Sequence, residues 1–205
     1  MKDLDPIIAR IEAELDEKDE VREVALKSAR AIVRLAGAAI RGMHRSEDVA
    51  ARLTEARDEI RKLRGLLAEH PELWFGGAVE GALQEVSEAA VVHALIAGQA
   101  LPSPEELGVT SPAYLLGLAD AIGELRRFAL DQLREGHVEQ AARYLEIMQD
   151  IYDALLRFDH PNALVPLRHK QDVARGLLER TRGELAVAAH GTALERRLRD
   201  LAEKR

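Results

Sequence analysis

Apolar residues recur at spacings of three and four along almost the whole chain, which is the period of an amphipathic α-helix. Residues that favour strands are scarce, since only seven positions are aromatic. Capping residues, prolines and glycines divide the apolar pattern into about seven helices. The sequence therefore predicts an all-α fold.

The first predicted helix is unusually long. Asp5 and Pro6 are typical of a helix start, and no proline interrupts the pattern before about Arg45. Ser46 is expected to cap a second helix that ends near His70. The other predicted helices cover about 78–96, 111–136, 137–158 and 163–189, with a short helix begun by Ser103 and Pro104 and a charged tail helix at about 190–205.

Length and composition favour one domain over residues 1–205. The chain has 205 residues, of which 47% are hydrophobic and 32% charged, so it can form a core. No apolar run approaches the ~20 residues of a membrane span, and the acidic, periodic start is unlike a signal peptide. We therefore expect a cytoplasmic protein with no membrane partner. The absence of cysteine excludes thiol nucleophiles, thiolate zinc sites and iron–sulfur clusters.

Two pairs of carboxylates are the first candidates for chemistry. Glu85 and Glu88, the first carboxylate pair, share one helix face in a segment that has no Lys or Arg from residue 76 to 101. Asp120 and Glu124, the second carboxylate pair, share a face of a later helix. An alternative interpretation makes the second pair part of a solvated surface on which Arg127 offsets the acids.

Helices that follow one another in the chain can pack side by side. Four carboxylates that met across such a contact would suit Mg²⁺ or Mn²⁺, which prefer oxygen ligands. Metal-bound water is a nucleophile for phosphodiester hydrolysis. The two pairs are therefore typical of a metal-dependent nuclease.

Basic residues are segregated on the first predicted helix, although the chain carries a net charge of −7. The basic stripe consists of five residues on one face, with no Asp or Glu from residue 24 to 45: Lys27, Arg30, Arg34, Arg41 and Arg45. A shorter row on the next helix consists of Arg57, Arg61 and Arg64. Such rows suit a line of phosphates, although a solvated face has the same pattern.

Several segments resemble the translin/TRAX family of RNA-binding and RNA-cleaving proteins. The similarity is carried by YLLGLADAIGELRRFAL, by VARGLLERTRGELAV, by the LQEVSEA helix and by the basic first helix. The resemblance implies a translin-like bundle of about seven helices and a closed, roughly octameric homo-oligomeric shell around nucleic acid. It also implies a catalytic, TRAX-like subunit of prokaryotic or archaeal type, because both carboxylate pairs match that branch.

This resemblance implies an endoribonuclease that depends on Mg²⁺ or Mn²⁺. Because a closed shell would hinder the entry of structured substrates, we expect single-stranded RNA to be preferred. Glu85, Glu88, Asp120 and Glu124 are then the catalytic and metal-binding residues, and Arg127 joins the basic residues as an RNA contact. Two alternatives stay open: a non-catalytic shell that binds RNA or single-stranded DNA, and a helical adaptor protein.

Overall fold

The prediction of an all-α fold is confirmed. The computed structural model describes residues 4–203, which form eight helices and no strand. The helices are α1 (Leu4–Met43), α2 (Ala50–Leu66), α3 (Pro71–Trp74), α4 (Gly77–Ile96), α5 (Pro104–Leu107), α6 (Ser111–Arg134), α7 (Val138–Leu155) and α8 (Arg168–Glu203). None of them combines the length and the hydropathy that a membrane crossing requires, within the residues described.

The chain divides into two compact units, residues 1–114 and 115–205. In the first unit, α1 packs against α2 and α4. The buried face of α1 begins only at Ala25 and continues at the helical period through Ile32 and Met43. Residues 4–17 are exposed throughout. About half of this forty-residue helix therefore lies outside the core of its own unit.

The second unit contains most of α6 together with α7 and α8. α7 buries Ala141, Met148, Ile151 and Leu155 along one face. The rings of Phe128 on α6 and Tyr144 on α7 lie 5.9 Å apart. The amide of Gln171 on α8 donates to the carbonyl of Leu155 at 2.8 Å, which satisfies an acceptor at the end of α7.

Several predicted helix boundaries were wrong for identifiable reasons. Ser46 does not cap α2, because its φ of 57° is left-handed and ends the turn after α1. The Asp48 carboxylate instead accepts from the backbone amide of Ala50, the first residue of α2, at 3.0 Å. The segment before α4 contains the one-turn helix α3, whereas the sequence analysis placed no helix between about residues 70 and 78.

α8 also differs from the prediction. It begins at Arg168 rather than near residue 163, because Pro166 disfavours helical geometry at the residue before it. It then continues through Gly191 to Glu203, so residues 190–203 of the predicted tail helix are its last part, and residues 204–205 lie outside the described residues. A single glycine costs only ~1 kcal/mol in a helix and does not end one without a further stop signal.

Candidate functional site

The first carboxylate pair lies on the most buried helix of the first unit. Half of the twenty residues of α4 are buried, whereas Glu85 and Glu88 are partly exposed on one side of it. A third acid on the same helix, Glu80, accepts a hydrogen bond from the Thr110 hydroxyl at 2.9 Å. Burial raises the pKa of Glu80 above its ordinary value, although the Thr110 hydrogen bond opposes that shift. Carboxylates on α4 are therefore held where solvation is incomplete.

The second carboxylate pair lies on α6, and the structure shows a basic side chain against each acid. The Lys170 ammonium, from the first turn of α8, forms an ion pair with Asp120. The Arg127 guanidinium contacts both carboxylate oxygens of Glu124 at 3.1 Å. The side chains of Asp120 and Glu124 are only 26% and 16% exposed. Both carboxylates are therefore partly shielded from solvent, and each is already paired with a cationic side chain.

Sequence reasoning anticipated only one of these basic partners. Arg127 stands three residues after Glu124, so its offsetting role follows from helical spacing. Lys170 is fifty residues from Asp120 in sequence and reaches it only because α8 lies against α6 in the second unit. No spacing rule could have found it, since the signal is purely tertiary.

The arrangement of all four carboxylates stays a prediction, because the first pair belongs to the first unit and the second pair to the second unit. Among residues 4–203, the structure shows no cluster of three or more His, Asp or Glu side chains arranged to hold a metal ion. The second pair by itself fits a hard cation in charge and donor type. Mg²⁺ is commonly bound by one or two carboxylates and keeps several waters.

Four of the five residues of the basic stripe lie on the solvent side of α1. Lys27, Arg30, Arg34 and Arg41 are exposed and fall within an arc of about 60° opposite the buried face. None of these four forms an ion pair with any residue that the structure describes. Arg45 lies beyond the end of α1, 3.9 Å from Glu47, so the helical part of the stripe spans about 21 Å.

Two of the three residues in the shorter basic row on α2 already contact other side chains, unlike the four helical residues of the basic stripe. Arg61 pairs with Asp58 at 2.9 Å, and the Arg64 guanidinium lies 5.0 Å from the centre of the Trp74 ring. Arg57 is partly buried, and its Nε atom is buried with no hydrogen-bond partner among the described residues. The three residues therefore differ in how available they are to a ligand.

One curated protein and three solved structures are similar to this chain. An uncharacterised protein of Methanocaldococcus jannaschii is 36% identical over 189 residues, which are 90% of this chain and 84% of that protein. The crystal structure of AfC3PO is 36% identical, with a TM-score of 0.73, and covers 90% of this chain and 97% of its own. The AfC3PO–duplex RNA complex has the same TM-score and coverage at 35% identity. Apo-NeC3PO shares the fold, with a TM-score of 0.77 at 22% identity and coverage of 89% and 97%.

The sequence profile of the translin family matches residues 18–181, which include both carboxylate pairs, most of α1 and the first part of α8. The match covers well over half of the chain, and the structural similarity to AfC3PO extends over nine-tenths of it. The chain belongs to the translin family.

Proposed function

We propose that this protein binds RNA and cleaves it as an Mg²⁺-dependent endoribonuclease. The observation that carries the proposal is the second carboxylate pair: Asp120 and Glu124 are shielded from solvent, share one face of α6 and are each met by a cationic side chain. A nuclease needs such a place, where positive charge is favoured and water is partly excluded. The AfC3PO–duplex RNA complex, a similar structure, supports RNA as the ligand.

Asp120 and Glu124, together with Glu85 and Glu88, would hold the metal. When bound, Mg²⁺ or Mn²⁺ supplies a polarised water and charge stabilisation at the attacked phosphate. The cationic side chains of the protein itself have a different role from that of the metal. Lys170 and Arg127 balance the carboxylates of the second pair, which lowers the repulsion between acids one helical turn apart. Both side chains are long enough to reorient toward an RNA phosphate, and Arg127 keeps its predicted role as an RNA contact.

The basic stripe supports a path for the RNA backbone. Its four helical members point to solvent without carboxylate partners in the described chain, so binding phosphates would not require breaking ion pairs. Phosphate contacts of this kind position a nucleic acid without reading its sequence. A stripe about 21 Å long is sufficient for several successive phosphates.

The strand preference is open to direct test. We predicted single-stranded RNA from the expectation that a closed shell admits short, flexible strands more easily. The duplex RNA complex of AfC3PO makes short duplexes an equal candidate for this chain. Oligonucleotides of one sequence, supplied as single strands and as blunt duplexes, distinguish the two, and a single-stranded DNA of that sequence tests whether DNA is also bound.

The exposed half of α1 supports assembly into a closed homo-oligomer. Leu4, Ile7, Ile8, Ile11 and Leu15 are each 42–56% exposed and follow one side of the helix. A contiguous apolar surface of this kind is typical of a protein–protein contact. A second copy of the chain would cover this apolar surface. In an octamer-like shell, the acidic residues would lie mostly on the outer surface and the RNA would lie in the enclosed cavity.

A non-catalytic RNA-binding oligomer is the second candidate. The specific observation in its favour is that Lys170 and Arg127 already neutralise the second pair, as expected if these acids were purely structural. The basic stripe would then bind RNA without turnover. The two candidates share the fold and the RNA path and differ only in the role of the carboxylates.

Incubation of a labelled RNA with the full chain tests the proposal, in Mg²⁺ and in EDTA. We expect cleavage in Mg²⁺ only, and its loss in Glu88→Ala at unchanged oligomeric state. Glu80→Gln is the matched control, because Glu80 lies on the same helix but outside the proposed metal set. A shifted but intact RNA band in both conditions would select the non-catalytic binder. No interaction at low salt would favour the adaptor protein.

A further inference from the structure

The last part of α8 carries an apolar face that its own unit does not use. The buried side of this helix is marked by Ala174, Leu178 and Thr181. Further along the helix, four large apolar side chains lie on the opposite side, about 160° around the axis, and are 56–74% exposed. We call these four residues the α8 outer face: Val187, Leu194, Leu198 and Leu201. Their spacing keeps them on one side of α8 over about 21 Å.

The α8 outer face has no role in the packing of the second unit. A helix needs one apolar face to pack against its own domain, and the buried side of α8 supplies that face against α7. A second apolar face on the opposite side, open to solvent, is typical of a contact with another protein. The α8 outer face is therefore one half of a protein–protein contact.

The exposed half of α1 offers the matching surface. Its apolar residues form the α1 apolar face: Leu4, Ile7, Ile8, Ile11 and Leu15. This face continues the side of α1 that becomes buried from Ala25 onward. Lys18 pairs with Glu72 of α3 at 2.9 Å, and residues 4–17, before that pair, are exposed throughout. The α1 apolar face is about 17 Å long, close to the length of the α8 outer face.

Charge decides which face pairs with which. Residues 4–17 contain five acidic side chains and one basic side chain, for a net charge of −4, whereas residues 187–205 contain five basic and three acidic side chains, for a net charge of +2. Pairing of α1 with α1, or of α8 with α8, would bring like net charges together, and pairing of α1 with α8 joins opposite ones. Glu12 and Arg197 flank the two faces, are exposed and form no ion pair with any described residue.

We propose that the α1 apolar face of one copy packs against the α8 outer face of a second copy. This inference rests on the assembly in the proposed function and names the two surfaces that form it. Each chain has one face of each kind, so reciprocal exchange between two copies, or a head-to-tail ring, covers both faces on every chain. The contact has apolar side chains at its centre and charged side chains at its edges, as stable interfaces do.

The absence of cysteine from the sequence allows a direct test by cross-linking at chosen positions. Ile11→Cys and Leu198→Cys chains, of which only one carries an affinity tag, are co-expressed and treated with a short bis-maleimide. We expect a covalent heterodimer from the mixed assembly and little cross-linking of either protein alone. Ala13→Cys is the matched control, because Ala13 is exposed on the same turn of α1 but about 160° from Ile11. With Leu198→Cys it should give at most about a fifth of the heterodimer.

Ile7→Cys with Leu194→Cys repeats the test at a second place on the same two faces. Both positions are exposed, so these substitutions leave the core of each unit unchanged. This second pair keeps the proposal testable if one variant does not fold or if one pair of positions is too far apart along the contact.

Charge reversal tests the pairing independently of cross-linking. Glu12→Lys should raise the concentration at which the assembly dissociates, measured by light scattering at low salt, about two- to fivefold, the effect expected of an exposed ion pair. Arg197→Glu should do the same, and both changes in one chain should restore the wild-type value to within about twofold. Pairing of α1 with α1 predicts the opposite sign for Glu12→Lys, because the change would relieve repulsion.

The outcomes separate this interface from the proposed nuclease. Strong cross-linking of Ile11→Cys alone would overturn the proposal in favour of α1–α1 pairing, and strong cross-linking of Leu198→Cys alone would overturn it in favour of α8–α8 pairing. No heterodimer from either pair of positions would overturn it even if the protein assembles fully and cleaves RNA. A heterodimer in an assembly that does not cleave RNA would support the interface and reject the nuclease.

Discussion

Replacing Lys170 by methionine is the most informative single change at the second carboxylate pair. The Lys170 ammonium forms an ion pair with Asp120, and the two side chains are 30% and 26% exposed. Methionine keeps most of the aliphatic stem and removes the charge. The variant therefore reports what the ammonium does for Asp120 with little change in packing.

The expected loss of stability follows from this partial burial. Exposed ion pairs are worth ~0.2–1 kcal/mol, and removal of one partner of a fully buried pair costs ~3–5 kcal/mol. A pair about three-quarters buried lies between these limits, so Lys170→Met should lose about 1–2 kcal/mol without divalent metal. For a chain of this size that corresponds to a fall in Tm of roughly 2–8 °C.

Magnesium should reverse the effect if Asp120 is a metal ligand. The ammonium competes with a divalent cation for the same carboxylate, so its removal should tighten Mg²⁺ binding. A competing ion pair worth about 1–2 kcal/mol corresponds to a roughly five- to thirtyfold lower Kd. Because ligands that bind only the folded state raise Tm, Lys170→Met should gain more from Mg²⁺ than the wild type does.

The assay is thermal melting across a MgCl₂ series at constant ionic strength. Arg168→Met is the control, since Arg168 lies on the same turn of α8 but pairs with the exposed Asp159 at 2.8 Å. Its Mg²⁺ response should match that of the wild type. An identical Mg²⁺ response in all three proteins, with Tm lowered only in Lys170→Met, would show that Asp120 has a structural ion pair and no metal.

Three further predictions concern other parts of the structure. Arg126→Met should lower the free energy of unfolding by about 2 kcal/mol in urea titration, because its mostly buried guanidinium contacts both oxygens of Glu184 at 2.7 and 2.8 Å; a change below ~0.5 kcal/mol would contradict this. Glu80→Gln should raise Tm at pH 7 and have little effect below about pH 4.5. The reason is that burial raises the pKa of Glu80 in the folded state, so the fold favours the neutral carboxyl group and loses that stabilisation as the pH rises and the group ionises. An equal change in Tm at both pH values would refute the burial argument. Ile11→Glu should reduce the subunit number in light scattering while circular dichroism stays unchanged, whereas an intact assembly would place the interface elsewhere.

The fold could be predicted largely from local signals. The period of apolar residues gives the six long helices, and the position of Lys27, Arg30 and Arg34 opposite the core follows from their spacing alone. The helix boundaries were predicted wrongly where the backbone conformation of the folded chain overrides the local preference of a residue type. Ser46 is a good capping residue by type, yet the backbone turn after α1 places it in a left-handed conformation.

The candidate site was only partly visible in the sequence. The two carboxylate pairs could be found because i, i+3 and i, i+4 spacings put both acids of a pair on one face. The Lys170–Asp120 pair and the unsatisfied Nε of Arg57 depend on tertiary packing. Sequence spacing treats Arg57, Arg61 and Arg64 as equivalent, and only the structure separates the partly buried one from the two that already have partners.

Cleavage of RNA by Asp120→Asn tests the central claim most directly. Asp131→Asn is the control, since Asp131 lies on the same helix and pairs with Arg134 at 3.4 Å. We predict that wild type and Asp131→Asn cleave a labelled RNA in Mg²⁺, and that Asp120→Asn binds the RNA equally well but cleaves it at least about a hundredfold more slowly. Cleavage by Asp120→Asn at the wild-type rate, or no cleavage by the wild type in Mg²⁺ or Mn²⁺, would contradict the assignment of this carboxylate to a metal-dependent nuclease.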